Sequence, residues 1–527
     1  DKRSLTFRYR YPEQETKLRE GSAVHIAAGG EPAGTIFALD EASGVVTLKR
    51  SSTKGKLPKE LSLMPGRPVS TDPLRDAVWM VARDMAAGGD AFPHVGAILR
   101  RDAPRLLGRS PGAPIIEPID REDPDRLLEA SKRAVHALDR SWLVIQGPPG
   151  AGKTYTTSHL IVSLIRAGKT VGVASNSHKA IDNVLNAIEE RLIENGESVR
   201  LLGQKKDSGG EGYTGRGFIE SVTDNDEIDA TVPIIAGTAW AFARPESAAS
   251  RDVLFVDEAG QVSLGNLVAM ALAAKSIVLV GDQMQLAQPI QGAHPRASGR
   301  SALDFLLEDH AVVPPERGIF LSKTWRMHPD LCSFVSAAVY EGKLHSEAGC
   351  ATQRLVLTEN AHPTLKAAGL SFFPVEHTGC RQKSTEEAEA TRDILMSLLG
   401  QRVIDRSGRE RAMALDDALV VAPYNMQVNL LRSILPDGAR VGTVDKFQGQ
   451  EAEVVIVSMT TSGGDDMPRD ISFLLSRNRL NVAISRARCL AVLVASPSLL
   501  NLVANSVEEM RLANLFCWAA DFASGQV

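Results

Sequence analysis

Apolar residues along this chain fall into two rhythms, and the alternation of those rhythms predicts most of its secondary structure. Short apolar runs at Trp142–Ile145, Val171, Val232, Val253, Ile277, Leu419–Ala422, Val454–Ser458 and Ala491–Val494 have the texture of strands buried on both faces. Between such runs the spacing turns helical, as in Leu160, Ile161, Leu164 and Ile165, until Gly168 offers a stop. Alternation of this kind from about Arg126 to Ala293 predicts a doubly wound parallel sheet, and a further α/β set runs from about Gly318 to the C-terminus. The beginning of the chain differs. Ala33–Ala38 and Gly44–Lys49 are β-rich pieces between glycine turns, which suggests a small antiparallel barrel, and Pro73–Ala87 reads as an amphipathic helix. Asp207–Gly217 breaks every periodicity and reads as a mobile loop or the edge of a small insertion near residues 203–228.

The expected fold is α/β, in three parts. An N-terminal accessory region covers residues 1–125, β-barrel-like and then helical, and either packs beside a bound strand or caps the first lobe. Two RecA-like P-loop lobes with parallel sheets cover 126–300 and 301–527. At 527 residues and 43% apolar content the chain can fill several cores. No apolar run approaches the roughly 20 residues of a membrane span, and no hydrophobic signal region opens the chain, so no membrane partner is expected and a cytoplasmic location is the default. The first residue is Asp rather than Met, which reads as a piece of a longer protein. A net charge of −5 argues against a generally basic coat and confines any contact with nucleic acid to a local groove. Cys332, Cys350, Cys380, Cys489 and Cys517 never occur as C-x-x-C, and read as buried free thiols rather than metal or cluster ligands.

Chemistry concentrates at the ends of the predicted strands. Gly147, Pro148, Pro149, Gly150, Ala151, Gly152, Lys153 and Thr154 fit G-x-x-x-x-G-K-[ST] between a strand and a helix. Glycines let the backbone wrap a triphosphate with N–H groups inward, and the helix N-terminus adds about half a positive charge. Lys153 suits the β- and γ-phosphates, Thr154 suits Mg²⁺, and Tyr155 continues the nucleotide-binding run, so ATP and Mg²⁺ are the expected cofactors. Val253–Glu258 is an apolar strand ending in two carboxylates: Asp257 suits Mg²⁺ through its water shell, and Glu258 suits orienting and deprotonating the attacking water. Gln285, in the turn after the strand at Ile277, is suited to sensing the γ-phosphate.

The ordered set GPPGAGKT, DEAGQ, GDQMQL, TWRMHP, APYNMQ, TVDKFQGQE and LNVAISRAR, over about residues 126–500, resembles superfamily 1 helicases. More narrowly it resembles the 5′-to-3′ branch that includes the RNA-surveillance helicase of nonsense-mediated decay, senataxin and the nuclease-helicase of Okazaki processing. The wording at Ser175–Ile181 and Arg477–Val482 also resembles bacterial proteins in which a RecB-like nuclease domain precedes such a helicase, which implies a bacterial origin, although no nuclease motif is present in this sequence. The resemblance implies that Arg326 and Arg486 act as arginine fingers, that Glu451 contacts ribose or phosphate, and that Trp325 stacks on adenine or else anchors the core. Gln427 would support the cleft. Ser177, His178, Thr238, Pro423 and Thr443 would contact a single strand crossing both lobes without reading its sequence. His178 stands where asparagine is common, Ala422 replaces a threonine, and Lys132 stands where relatives carry an adenine-reading glutamine, which relaxes base selectivity. The implied activity is an ATP-dependent 5′-to-3′ translocase that unwinds duplexes, with DNA favoured over RNA. Its implied partners are single strands, duplex junctions and a nuclease domain in the same full-length chain. The other reading is an ATP-gated clamp or nuclease scaffold on nucleic acid, without strand separation.

Overall fold

A computed structural model describes residues 4–525 apart from 13, 15, 17, 41–42, 67–69, 119–122, 198–201, 208–211, 289–293, 464–465 and 468–470. The chain opens on an antiparallel sheet of β1 (Ser4–Arg10), β2 (Ala23–Ile26), β3 (Pro32–Asp40), β4 (Val45–Ser51) and β5 (Leu63–Pro65), in the order β1-β4-β3-β2-β5. Bulges at Ile36/Ala38 and Val24/His25 curl the sheet over Val24, Ile36 and Leu48. Among the described residues no ladder joins β1 to β5, so the expected barrel is an open, curled sheet. Asp72–Ala86 follows as the expected amphipathic helix, burying Leu74, Ala77 and Val81 at helical spacing in the same core as helix Leu264–Ala271 of the first lobe.

The first lobe is one parallel sheet of β6 (Trp142–Gln146), β7 (Val171–Ala174), β8 (Gly203–Lys206), β9 (Ile219–Val222), β10 (Ile234–Gly237), β11 (Arg251–Val256), β12 (Ala274–Gly281) and β13 (Gly318–Phe320), ordered β13-β6-β12-β11-β7-β10-β8-β9. Strand β6, second from the edge between β13 and β12, is buried on both faces. Trp142 and Val144 point into the core shared with Asp72–Ala86, and Leu143 and Ile145 into the core on the other face. Two expectations shift here. The sheet ends with β13 against β6, past the boundary expected at residue 300, because Gly318 lets the strand come close to Val144. The segment expected as an insertion near 203–228 supplies β8 and β9, two further parallel strands of the same sheet. The expected loop at Asp207–Gly217 lies partly outside the described residues. In the part described, the Asp207 carboxylate accepts from Tyr213 N (3.0 Å) and Ser221 Oγ (2.6 Å).

The second lobe begins with a short parallel pair, β14 (Lys323–Thr324) and β15 (His345–Ser346), and a small antiparallel set, β16 (Arg354–Val356), β18 (Arg402–Ile404) and β19 (Glu410–Ala412). Its main sheet is parallel: β17 (Gly369–Pro374), β20 (Ala418–Val421), β21 (Arg440–Gly442), β22 (Ala452–Ser458) and β23 (Ala487–Ala495), in the order β17-β23-β22-β20-β21. In both lobes the motif loops leave the C-terminal ends of the strands: Gly147 after β6, Ser177 after β7, Thr238 after β10, Asp257 after β11, Asp282 after β12, Pro423 after β20 and Thr443 after β21. Parallel sheets collect ligands at that edge. All five cysteines are free, with Cys332, Cys350 and Cys489 buried and Cys380 and Cys517 half-buried. Among the described residues no helix is long and apolar enough to cross a membrane.

The C-terminal helix Val507–Ser524 closes the second lobe by laying Phe516, fully buried, edge-on to Phe372 of β17 with ring centroids 6.1 Å apart. Phe516→Ala should destabilise this lobe by about 3–5 kcal/mol. Urea unfolding followed by tryptophan fluorescence would show it, and an unshifted midpoint would mean that the helix is not part of the lobe's core.

Candidate nucleotide cleft and strand-facing edge

The phosphate loop is held by close backbone approach. Gly147 N donates to Gly281 O (2.9 Å), and a Cβ on Gly147 would lie 2.2 Å from Lys153 Cγ. Gly150 and Gly152 take φ of +73° and +79°, in the left-handed region that favours glycine. Helix Lys153–Arg166 then starts with no side chain capping its N-terminus, which leaves its first N–H groups facing the loop as an anion site. Lys153 Nζ rests on Gly147 O at 2.7 Å. Thr154 is half-buried beside it.

In the same lobe as the loop, Asp257 is buried at the end of β11, its N–H bonded to Ala174 O (2.8 Å). Burial first, and then the Glu258 charge, push its carboxyl up to about 7, against the pull of the nearby Lys153 ammonium. A buried carboxylate that Lys153 offsets only in part suits a divalent cation shared with Thr154. Glu258 adopts a left-handed φ of 52°, which turns the chain sharply between two carboxylates with different surroundings. Its loop packs directly on the next one, since a Cβ on Gly281 would lie 2.8 Å from Ala259 N.

Gln285 is buried and donates Nε2 to Asp282 Oδ2 (3.0 Å). That carboxylate is the hub of a network that the motif spacing did not reveal. Asp282 also accepts from Gln146 Nε2 (3.2 Å), Met284 N (3.1 Å) and Tyr340 OH (2.6 Å). Tyr340 follows helix Pro329–Val339 of the second lobe and accepts in turn from Asn481 Nδ2 (3.0 Å), which also donates to Met284 O (2.8 Å). Asn478, on the same helix Arg477–Ile484, donates to Gln283 O (2.9 Å). Burial and the adjacent Asp282 charge raise the Tyr340 phenol far above its usual range, so it stays a donor.

The two arginines expected at the cleft are both there. Arg326 donates Nε to Glu451 and Nη1 to Ser485 O (3.0 Å), and its backbone lies against Gly150. Arg486 is buried. Desolvation first, and then the Arg326 charge, bring its pKa down to about 10, while Glu258 across the cleft pulls it up. Its Nη1 reaches Gln450 O only at 3.4 Å, and its buried Nε has no hydrogen-bond partner among the described residues. A buried, unsatisfied guanidinium N–H within electrostatic range of Glu258 suits a phosphate oxygen. Glu451, expected on the nucleotide, is engaged within the second lobe, where it bridges Arg326 and Arg488 Nη2 (2.6 Å).

Trp325 donates its backbone N–H to Gly150 O (2.9 Å) and keeps its ring 41% exposed under Arg406 Cζ, 5.0 Å from the centroid. With Tyr155, Leu127, Leu128 and Ser131 it lines a cavity of about 480 Å³ beside the phosphate loop, so it is a wall of that cavity rather than a core anchor. Lys132 points elsewhere, into an ion pair with Glu129 (2.6 Å), and Ser131 takes the place facing the cavity.

Among the residues expected on a single strand, Ser177 is exposed at the N-terminus of helix His178–Glu194, and Thr238, Pro423 and Thr443 are half-buried at the same sheet edges. His178 instead turns toward Asp207 (3.4 Å), inside the network that pairs Asp207 with buried Lys205 (2.6 Å). Gln427 is fully buried and ties Ser384 to Ser458, a supporting position.

One family model described as an AAA domain matches residues 129–300, and another of the same description matches 299–498. The helicase/nuclease DNA2 of Gallus gallus is 27% identical over 72% of this chain and 37% of its own length. DNA polymerase alpha-associated DNA helicase A of Schizosaccharomyces pombe is 26% identical over 66% and 59%, and the Regulator of nonsense transcripts 1 homolog of Drosophila melanogaster is 25% identical over 69% and 34%. Over residues 129–498 the chain carries two AAA domains, and it is similar to superfamily 1 helicases. It spans less than two thirds of each of these relatives. The expected nuclease domain is not among the matched models, and these relatives, all eukaryotic, lend no support to the expected bacterial origin.

In this chain the Tyr340–Asp282 bond crosses from one lobe to the other at a buried carboxylate, where a hydrogen bond is worth about 1.5–3 kcal/mol. Tyr340→Phe should lower the melting temperature and uncouple Asn481 from Asp282. Differential scanning calorimetry with ATPase assays would show both losses together, and a variant as stable and active as the parent would contradict the tie.

Proposed function

We propose that this protein is an ATP-driven motor that moves 5′ to 3′ along single-stranded nucleic acid and separates duplexes, with DNA preferred to RNA. The observation that carries this reading is Arg486: a second-lobe guanidinium, buried, with an uncommitted Nε, held within electrostatic reach of first-lobe Glu258. A catalytic arginine supplied from the opposite wall makes hydrolysis depend on the distance between lobes. Cyclic hydrolysis then moves the lobes.

Bound Mg²⁺·ATP supplies the scissile phosphoanhydride and neutralises its charge. The chain's own residues do the rest. The Gly147–Thr154 backbone and Lys153 hold the phosphates, and Asp257 with Thr154 would hold the cation through oxygen ligands. Glu258 orients the attacking water and takes its proton, while Gln285 reports the γ-phosphate to Asp282. Arg486, then Arg326, meet the charge that builds on the phosphoryl oxygens. Trp325 and Tyr155 offer aromatic faces to the base in a pocket whose polar edge, among the described residues, carries no amide side chain, so the base is held by stacking more than by edge reading. Ser177, Thr238, Pro423 and Thr443 lie where a strand crossing both lobes meets them, and contact with its phosphates positions without selecting sequence.

Arg486→Ala should lower strand-stimulated turnover by about 10³-fold or more, and Lys153→Ala should abolish it. Steady-state ATPase assays with and without oligonucleotide check both. Strand displacement on 5′-tailed and 3′-tailed duplexes checks the motor: opening from 5′ tails is expected, opening only from 3′ tails would refute the polarity, and hydrolysis without opening would favour an ATP-gated clamp.

A further inference from the structure

At the outer edge of the second lobe, three cations from three segments converge on the turn after β21. Arg432, near the end of helix Asn425–Ile434, donates Nη2 to Val441 O (3.2 Å). Lys446 lays its stem over a nearby glycine so closely that a Cβ on Gly442 would lie 2.8 Å from Lys446 Cδ. The turn itself is fixed by Lys446 N donating to Thr443 O (3.0 Å). The N-terminal segment crosses at this point, where Asn425 Nδ2 reaches Thr16 O (3.5 Å), and it brings Arg19 within electrostatic range of Lys446.

Among the described residues no carboxylate pairs with these three charges, which repel one another. Burial first, and then Arg432 and Arg19, hold the Lys446 ammonium below its ordinary value. The adjacent carboxylate is committed elsewhere, since Asp445 accepts from Arg479 Nη1 (3.2 Å). Among the described residues neither Lys446 nor Arg19 makes a side-chain hydrogen bond or ion pair, and both are exposed. Like charges gathered by folding and left unpaired at a surface are stabilised by an anion that bridges them. A phosphodiester backbone offers such anions at regular spacing.

We propose that Arg19, Arg432 and Lys446 form a phosphate clamp at the seam between the N-terminal segment and the second lobe, gripping the backbone of a single strand beside Thr443. The clamp rests on the reading of this chain as a strand-tracking motor, and it gives the N-terminal region a part in holding the strand. Because it touches phosphates alone, it is indifferent to base sequence. Its position also makes the grip a joint property of two parts of the chain, so that separating the N-terminal segment from the second lobe would release it.

The test is the salt dependence of binding. A fluorescein-labelled oligo-dT is titrated with the whole chain between about 50 and 300 mM NaCl, and the slope of log affinity against log salt is compared among variants. For a single strand, removing one phosphate-neutralising cation should make the slope shallower by about 0.7. Lys446→Ala and Arg19→Ala should each do so, the double variant by about twice that, and Lys446→Arg should keep the parent slope. Affinity and slope unchanged in both alanine variants would overturn the clamp, as would weaker binding at an unchanged slope. Because both side chains are exposed, the fold should survive; if one variant fails to fold, the other carries the test. If the unaltered chain binds no oligonucleotide at any salt concentration, the motor reading falls with the clamp; a parent that binds while its variants keep its slope sinks the clamp alone.

Discussion

A single buried carboxylate sets how the two lobes meet. Asp282 lies at the end of β12, where the first lobe's sheet delivers its ligand edge, and an ionised carboxylate there costs several kcal/mol unless its oxygens are satisfied. Gln146, Met284 and Gln285 supply donors from the first lobe, and Tyr340 supplies one from the second. The requirement to satisfy this charge therefore fixes Tyr340, and through it Asn481 and the helix Arg477–Ile484 that runs toward Arg486. The same few residues also place Gln285 and, through Gly281, the phosphate loop. In the proposed motor, a change in the nucleotide's γ-phosphate would thus have a short covalent and hydrogen-bonded route to the opposite wall.

The two arginines on that wall stand in different conditions. Arg326 is neutralised by Glu451 and steadied by Ser485 O, while Arg486 faces Arg326 with its Nε unmatched. Even with its pKa brought down to about 10, Arg486 carries its charge at neutral pH. In the proposed motor that uncompensated charge draws the lobes together when a triphosphate is present, and loss of the γ-phosphate removes the attraction. Glu451, by holding Arg326 and Arg488 within the second lobe, keeps that lobe a rigid carrier for both.

The parts of this arrangement that are local in sequence were legible in it. Gly147–Thr154, Asp257 and Glu258 each sit in a strand–loop unit whose apolar run and polar ending are a few residues apart, so their placement follows from periodicity and turn chemistry. The rest depends on contacts across the chain. β13 is three residues long and declares itself only by pairing with β6, and β8 and β9 look like loop until the sheet edge recruits them. Whether a curled sheet closes into a barrel depends on β1 meeting β5, which no local pattern encodes. Tyr340 stands out in the sequence as an aromatic near a helix end; that its hydroxyl serves Asp282 is a tertiary fact. At the base pocket the helix phase decides: Ser131 faces the cavity and Lys132, one position on, turns to Glu129.

The central claim is that nucleotide draws the lobes together through Arg486. Its most direct measurement is the distance between spin labels at two exposed sites, Ile193→Cys on the first lobe and Met396→Cys on the second, with half-buried Cys380 and Cys517 replaced by serine. Double electron–electron resonance should show this distance shortening when a non-hydrolysable ATP analogue and Mg²⁺ are added, and the shortening should vanish in Arg486→Ala. A distance that ignores nucleotide, or that shortens equally without the Arg486 guanidinium, would contradict the account.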